Sequence, residues 1–155
     1  MGEGRGSRRV SSFRDLVAWQ TAMVLVTEVY AASAAWPESE RFGLTNQVRR
    51  ASVSIPANIA EGSGRSGTRE LRHFLSLAHG SVCEVQTHLE LAGRLGFLNA
   101  AAASTIDDHA EEVGRIIRGL IRRTDADDTV MMARPSSSSR LPDSSTSRLD
   151  KGGAS

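Results

Sequence analysis

The sequence predicts an all-α protein, an antiparallel up-down-up-down four-helix bundle, and three observations carry that expectation. Apolar residues recur at steps of three and four in four separate stretches, the spacing of one buried helical face. Short breaks containing Gly or Pro separate them, and no stretch alternates apolar and polar residues as a half-buried strand would. Short connections place consecutive helices side by side, which is the geometry of a bundle.

Residues 1–11 carry Gly, Arg and Ser without periodicity and read as a flexible basic N-terminal arm. Ser12, with Asp15 three residues on, resembles a capping box and starts the first helix. Its apolar positions Phe13, Leu16, Val17, Met23, Val24, Val26 and Tyr30 continue to about Ala34. Trp36-Pro37 ends it, because Pro disfavours helical backbone in the residue before it. Trp19, beside Ala22, Met23 and Val26, is assigned to packing.

The second helix begins at Glu38 or Ser39 and buries Leu44, Val48, Ala51, Ile55 and Ile59. Pro56 lacks an amide donor and predicts a kink near Ser52 to Ser54. Gly62-Ser63-Gly64 is a helix stop, followed by a Gly-rich turn that has neither the Lys of a P-loop nor the preceding strand of a dinucleotide fingerprint. Thr68 caps the third helix, with Leu71, Phe74, Leu75, Ala78, Val82, Val85, Leu89 and Ala92 inward and Gly96 as its stop. Ala78, Gly80, Ser81 and Cys83 form a run of small residues that another helix can approach closely. Asn99 or Ser104 starts the fourth helix, whose stripe is Ile106, Ala110, Val113, Ile117, Leu120 and Ile121. Asp107, Asp108, Glu111 and Glu112 come before Arg115, Arg118, Arg122 and Arg123, the order a helix dipole favours. Over 124–155 the periodicity fails in Asp, Ser, Pro and Gly, so a disordered tail is expected and the bundle spans 12–123.

Composition narrows the function classes. The formal net charge is +1, and residues 13–123 hold 12 arginines and 12 acidic residues, so a basic surface must come from clustering. Cys83 is the single cysteine and cannot form an intramolecular disulfide. With no signal peptide and no apolar run long enough to span a bilayer, a cytoplasmic protein without a membrane partner is expected.

Beside the apolar stripe of the second helix runs a polar one: Gln47, Arg50, Ser54, Asn58, Glu61 and Arg65. A solvated face explains it, and so does a polar seam at a helix or subunit interface. Candidate chemistry is thin. A di-iron bundle needs two Glu-x-x-His pairs, and only Glu70 with His73 supplies one, so no metal or other cofactor is expected. Cys83 sits amid Val82 and Val85 as a small core residue, and no base is stacked one turn from it. An enzyme built on Asn58, Glu61, Glu84 and His88 requires a pocket that gathers those four side chains.

Three blocks carry a family resemblance: FxxLxxWQxA in the first helix, GLTNQVRRASVSIPANIAEGSGR in the second, and ELRHFLSLAHGSVCEVQTHLELAGRLGFL in the third. They resemble the four-helix bundle proteins encoded by intervening sequences of bacterial 23S ribosomal RNA genes, over about Phe13 to Arg123. More distantly, the chain is similar to the accessory variability protein of diversity-generating retroelements. The resemblance implies a ring-like homopentamer with a basic surface for nucleic acid, RNA or DNA. It also implies a reverse transcriptase or another nucleic-acid enzyme as a partner. The positions matching the family pattern are Gln47, Arg49, Arg50, Ser54, Asn58, Glu61, Gly62 and Arg65, then Phe74, Gly80, Ser81 and Glu84.

The resulting expectation is a non-enzymatic oligomeric scaffold. Gln47, Arg50, Ser54, Asn58, Glu61, Arg65 and Glu84 form its polar seam at a subunit interface. Arg49, Arg69, Arg72, Arg94, Arg115, Arg118, Arg122 and Arg123 are its candidates for phosphate contact. The competing expectation is a structural or protein-interaction module with no nucleic-acid binding, favoured by the absence of aromatics interleaved among the arginines.

Overall fold

Four α-helices and no strand are present among the described residues: α1 (Val17–Ser33), α2 (Leu44–Ser63), α3 (Thr68–Arg94) and α4 (Ala100–Ala133). The structure is a computed structural model that describes residues 12–133, leaving out the side chains of 128 and 130–133. The arm of residues 1–11 and the tail beyond 133 lie outside the described residues.

Helix starts follow local hydrogen bonding, with shifts from expectation that have physical causes. Ser12 Oγ accepts the Arg14 amide at 3.3 Å, but the turn it caps is a 3-10 segment over Phe13–Asp15, and α1 begins only at Val17. Glu38–Glu40 is likewise a 3-10 turn, not the start of α2. The Glu40 carboxylate then accepts the Leu44 amide at 2.9 Å, taking up a donor that the helix itself leaves unpaired. Gly67, in extended backbone, is the N-cap of α3, so Thr68 is the first helical residue and not the cap. Asn99, not Ser104, starts α4: its Oδ1 accepts the Ala102 amide at 2.8 Å. Gly96 stops α3 with φ 77°, its amide donating to Gly93 O at 3.1 Å and that of Phe97 to Ala92 O at 2.9 Å. Those two bonds are a Schellman motif, which places glycine at the left-handed position.

α4 runs on to Ala133, past the point where its apolar periodicity ends. Asp125 begins the polar stretch, yet its carboxylate takes a hydrogen bond from Arg72 Nη1 on α3 at 2.5 Å. Thr124 beside it is buried. A tertiary partner therefore keeps this stretch helical where its composition reads as tail. The extension also moves Arg115, Arg118, Arg122 and Arg123 away from the last turn, so the helix dipole, which acts within about one turn, does not explain them.

Each helix packs on two others: α1 on α2 and α4, α3 on α2 and α4, with no backbone contact across either diagonal. The centre is aliphatic, with Leu25, Val29, Val48, Ile55, Ile59, Leu75, Val82, Val85, Val113 and Ile117 almost fully buried. Side chains of this type each contribute about 1.5–3 kcal/mol on burial. α1 meets this core through Ala18, Ala22, Leu25 and Val29, while Val17, Met23, Val24 and Tyr30 face outward. Its apolar residues thus cover more than one face. Trp19 is half-buried and meets Phe13 edge-on at 5.4 Å, the packing role expected of it.

α2 and α3 approach each other closely at Gly62. A Cβ built on Gly62 would stand 2.8 Å from Phe74 Cβ and 3.3 Å from Leu71 Cδ1. Gly62 is buried inside α2, so it permits helix contact and does not end the helix. Gly62→Ala is expected to overpack this contact by about 1–3 kcal/mol, exceeding the roughly 1 kcal/mol gain in helix propensity. A lowered thermal midpoint checks it.

Trp36 supplies a second prediction. Trp36 is 7% exposed, its ring is tilted against Phe97 at 6.3 Å, and its Nε1 has no hydrogen-bond partner among the described residues. Trp36→Phe removes an unsatisfied donor and is expected to cost under about 1.5 kcal/mol, against about 3–5 for Trp36→Ala. Denaturant titration of both variants tests the ordering.

Candidate interaction surface

Ser54 turns toward α3 because it lies one step off the buried face of α2, and Asn58 is half-buried one turn further on. Ser54 Oγ and Ser81 Oγ are 2.5 Å apart across the α2–α3 crease, and Ser54 Oγ also bonds Ala51 O at 2.8 Å. Asn58 Nδ2 donates to Ser54 O at 2.8 Å. Glu61 pairs with Arg65, whose guanidinium lies over the Phe74 ring at 5.3 Å. The middle of the polar seam is therefore a seam between two helices of one chain.

Its other members remain open. Gln47, Arg50 and Glu84 are exposed, and none has a side-chain hydrogen bond or ion pair among the described residues. Around them lie Val53 at 44% and Leu77 at 45% exposure. Gly80 is exposed on α3, with nothing within 4 Å of the position a Cβ would take. Of the small run on α3, then, only Ala78 and Ser81 face the core. Tyr30 of α1 meets the same surface, where an open groove of about 520 Å³ is lined by Tyr30, Asn46, Arg49, Arg50, Val53 and Ser54.

The eight arginines expected to contact phosphate divide into two groups. Arg49 is half-buried between α1 and α2: Nε donates to Ser33 Oγ at 2.8 Å and the guanidinium stacks on Tyr30 at 4.6 Å. Arg72 bonds Asp125, Arg94 pairs with Glu90 at 2.8 Å, and Arg115 pairs with Glu112 at 2.8 Å. Arg118 donates toward His79 Nε2 at 3.0 Å and lies 3.7 Å from Glu111. Arg69, Arg122 and Arg123 have no hydrogen bond or ion pair among the described residues.

The four side chains of the enzyme reading are not gathered. The Ser54–Ser81 contact sets the register, and the Gly62–Phe74 approach shows that α3 runs backward along α2. Asn58 and Glu61 lie to one side of that contact, Glu84 and His88 to the other. At 1.5 Å per residue, Glu61 and His88 are roughly 20 Å apart along the axis. Cys83 is exposed on the α3–α4 side, not in the core, because the α3 residues that bury are its neighbours Val82 and Val85. Among the described residues no group of three His, Cys, Asp or Glu side chains is arranged to hold a metal ion, and no helix is long and apolar enough to cross a membrane.

Fold and surface together define an all-helical protein with four helices around an aliphatic core and a polar crease between its second and third helices. The chain belongs to the 23S rRNA-intervening sequence protein family, whose model matches residues 14–119. A crystal structure of a protein of unknown function from the S23 ribosomal protein family of Bacteroides thetaiotaomicron VPI-5482 shares the fold. It aligns with a TM-score of 0.62 at 20% identity, covering 68% of this chain and 98% of that one. No curated protein matches the sequence.

Arg49 ties two helices, whereas Arg115 pairs within one exposed helix face. Arg49→Ala is expected to cost about 1.5–3 kcal/mol and Arg115→Ala under about 0.5, as read from denaturant midpoints.

Proposed function

We propose that this protein is a non-enzymatic interaction module: an up-down-up-down bundle that assembles with copies of itself, as a ring-like homopentamer, in the cytoplasm and without a cofactor. The observation that carries this reading is the outer face of α2 and α3. Arg50 and Glu84 lie there with opposite charge and no partner among the described residues, on the same helices as exposed Val53 and Leu77. A second copy of the chain supplies each charge with a partner and covers the apolar side chains. Gly80 leaves the α3 backbone bare at the same face, where a neighbouring helix can come close.

Nucleic acid, RNA or DNA, is the second reading, and Arg69, Arg122 and Arg123 favour it as cations with no partner among the described residues. A reverse transcriptase or other nucleic-acid enzyme as partner, and the distant kinship with the retroelement accessory protein, belong to this reading. The pairing of the other five arginines within the fold supports the protein-contact reading over it.

Light scattering separates the two. Arg50→Glu should lower the particle mass, and adding Glu84→Arg should restore it; unchanged mass in the single variant defeats the assembly face. RNA uptake that weakens steeply between low and high salt, and is lost in Arg69→Ala with Arg122→Ala and Arg123→Ala, would support phosphate contact. Gly80→Ala should raise chain stability by about 0.5–1 kcal/mol through helix propensity while reducing assembly.

A further inference from the structure

At the end of the bundle where α1 begins, the helices leave a cavity of about 410 Å³, within the range of about 300–1,000 Å³ that small-molecule sites occupy. Phe13, Leu16, Ile59, Leu71, Leu75 and Leu120 make it apolar, and Ile59 and Leu75 are each only 1% exposed, so its floor is core. Two opposite charges of α4 line it as well, Arg123 and, one turn on, Asp127. Neither has a hydrogen bond or ion pair among the described residues. The neighbouring carboxylate of Asp125 is already held by Arg72. Arg123 precedes Asp127, the less favourable order for an ion pair along a helix, so both charges are open to a ligand.

This combination selects its occupant. A ligand with only a carboxylate gains Arg123 and is repelled by Asp127, and one with only an ammonium meets the reverse. A molecule that carries both charges at one end and an apolar body at the other matches every part of the lining. Two wall hydroxyls suit the cationic end: Ser63 Oγ donates to Ala60 O at 2.8 Å and Thr124 Oγ1 to Ile121 O at 2.6 Å, which leaves each oxygen as an acceptor. We propose that this cavity binds a free α-amino acid with a large apolar side chain. The ligand's carboxylate pairs with Arg123, its ammonium pairs with Asp127, and its side chain lies against Ile59, Leu71 and Leu75. Bound there, it joins the segment leading into α1 to the later turns of α4. The site stands apart from the assembly face on α2 and α3. Arg123 is also a candidate for phosphate contact, but Asp127 repels phosphate, so the carboxylate separates the two roles.

Calorimetric titration of the full chain with phenylalanine tests it, and the fluorescence of Trp19, whose ring meets Phe13 at 5.4 Å, gives a second signal. Phenylalanine should bind at least about ten-fold tighter than alanine, which lacks the apolar body. It should bind several-fold tighter than hydrocinnamate, which lacks the ammonium, and than phenethylamine, which lacks the carboxylate. Asp127→Asn should erase the preference over hydrocinnamate, and Arg123→Gln the preference over phenethylamine. Both positions are exposed, so neither change threatens the fold. Ser63→Phe, at an exposed position on the cavity wall, should abolish binding while the helical circular dichroism stays the same. Absence of saturable phenylalanine binding overturns the proposal. So does alanine or either single-charge analogue binding as tightly as phenylalanine, or a preference that survives both charge substitutions.

Discussion

The approach of α2 to α3 at Gly62 and Phe74 is the constraint on which the rest of the molecule depends. With the Cβ position of Gly62 filled by its neighbour's side chain, the two helices come together more closely than larger residues allow. That proximity lets Ser54 and Ser81 meet across the crease, and the hydroxyl contact sets which turn of α3 faces which turn of α2. Dispersion between apolar side chains is weak in direction, so a polar contact is better suited to select one register among several that bury equal area. Arg50 of α2 and Glu84 of α3 are both exposed on these neighbouring helices.

Three of the arginines tie one helix to another. Arg49 joins α2 to α1 through Ser33 and Tyr30, Arg72 joins α3 to the far end of α4, and Arg118 links α4 to His79 on α3. A planar guanidinium with five donors can stack and bond at once, which suits contacts that are half-exposed at a helix crossing. His109 Nδ1 and Glu28 Oε2, 2.7 Å apart, make the corresponding contact between α1 and α4. Charges placed between helices in this way are partly withdrawn from any ligand, which is why a sequence count of arginines overstates the cationic surface.

The helical pattern, the core of α2 to α4 and the polar stripe were legible in the sequence because each is a local periodicity. Leu44, Val48, Ala51, Ile55 and Ile59 all bury as their spacing requires. α1 was harder to read, since Val17, Val24 and Tyr30 interrupt the contrast between its faces and its true inward residues are two alanines, Leu25 and Val29. Gly62 looked like a stop because it sits beside Ser63 and Gly64, and only the neighbouring helix gives it another purpose. Of the candidate site, the members of the seam could be named from spacing alone, but which ones would find partners inside the chain could not.

The sequence by itself determined the number of helices, where Gly96 and Asn99 divide α3 from α4, and the family to which the chain belongs. Those properties reside in local dihedral preferences, caps and hydrophobic periodicity, each confined to a few turns of one helix. Tertiary structure decided which arginines are occupied, that Cys83 faces outward, and that α4 continues beyond Arg123. Each of these depends on a partner far away in the chain, Asp125 with Arg72 being the plainest case, and no local pattern records where that partner will stand.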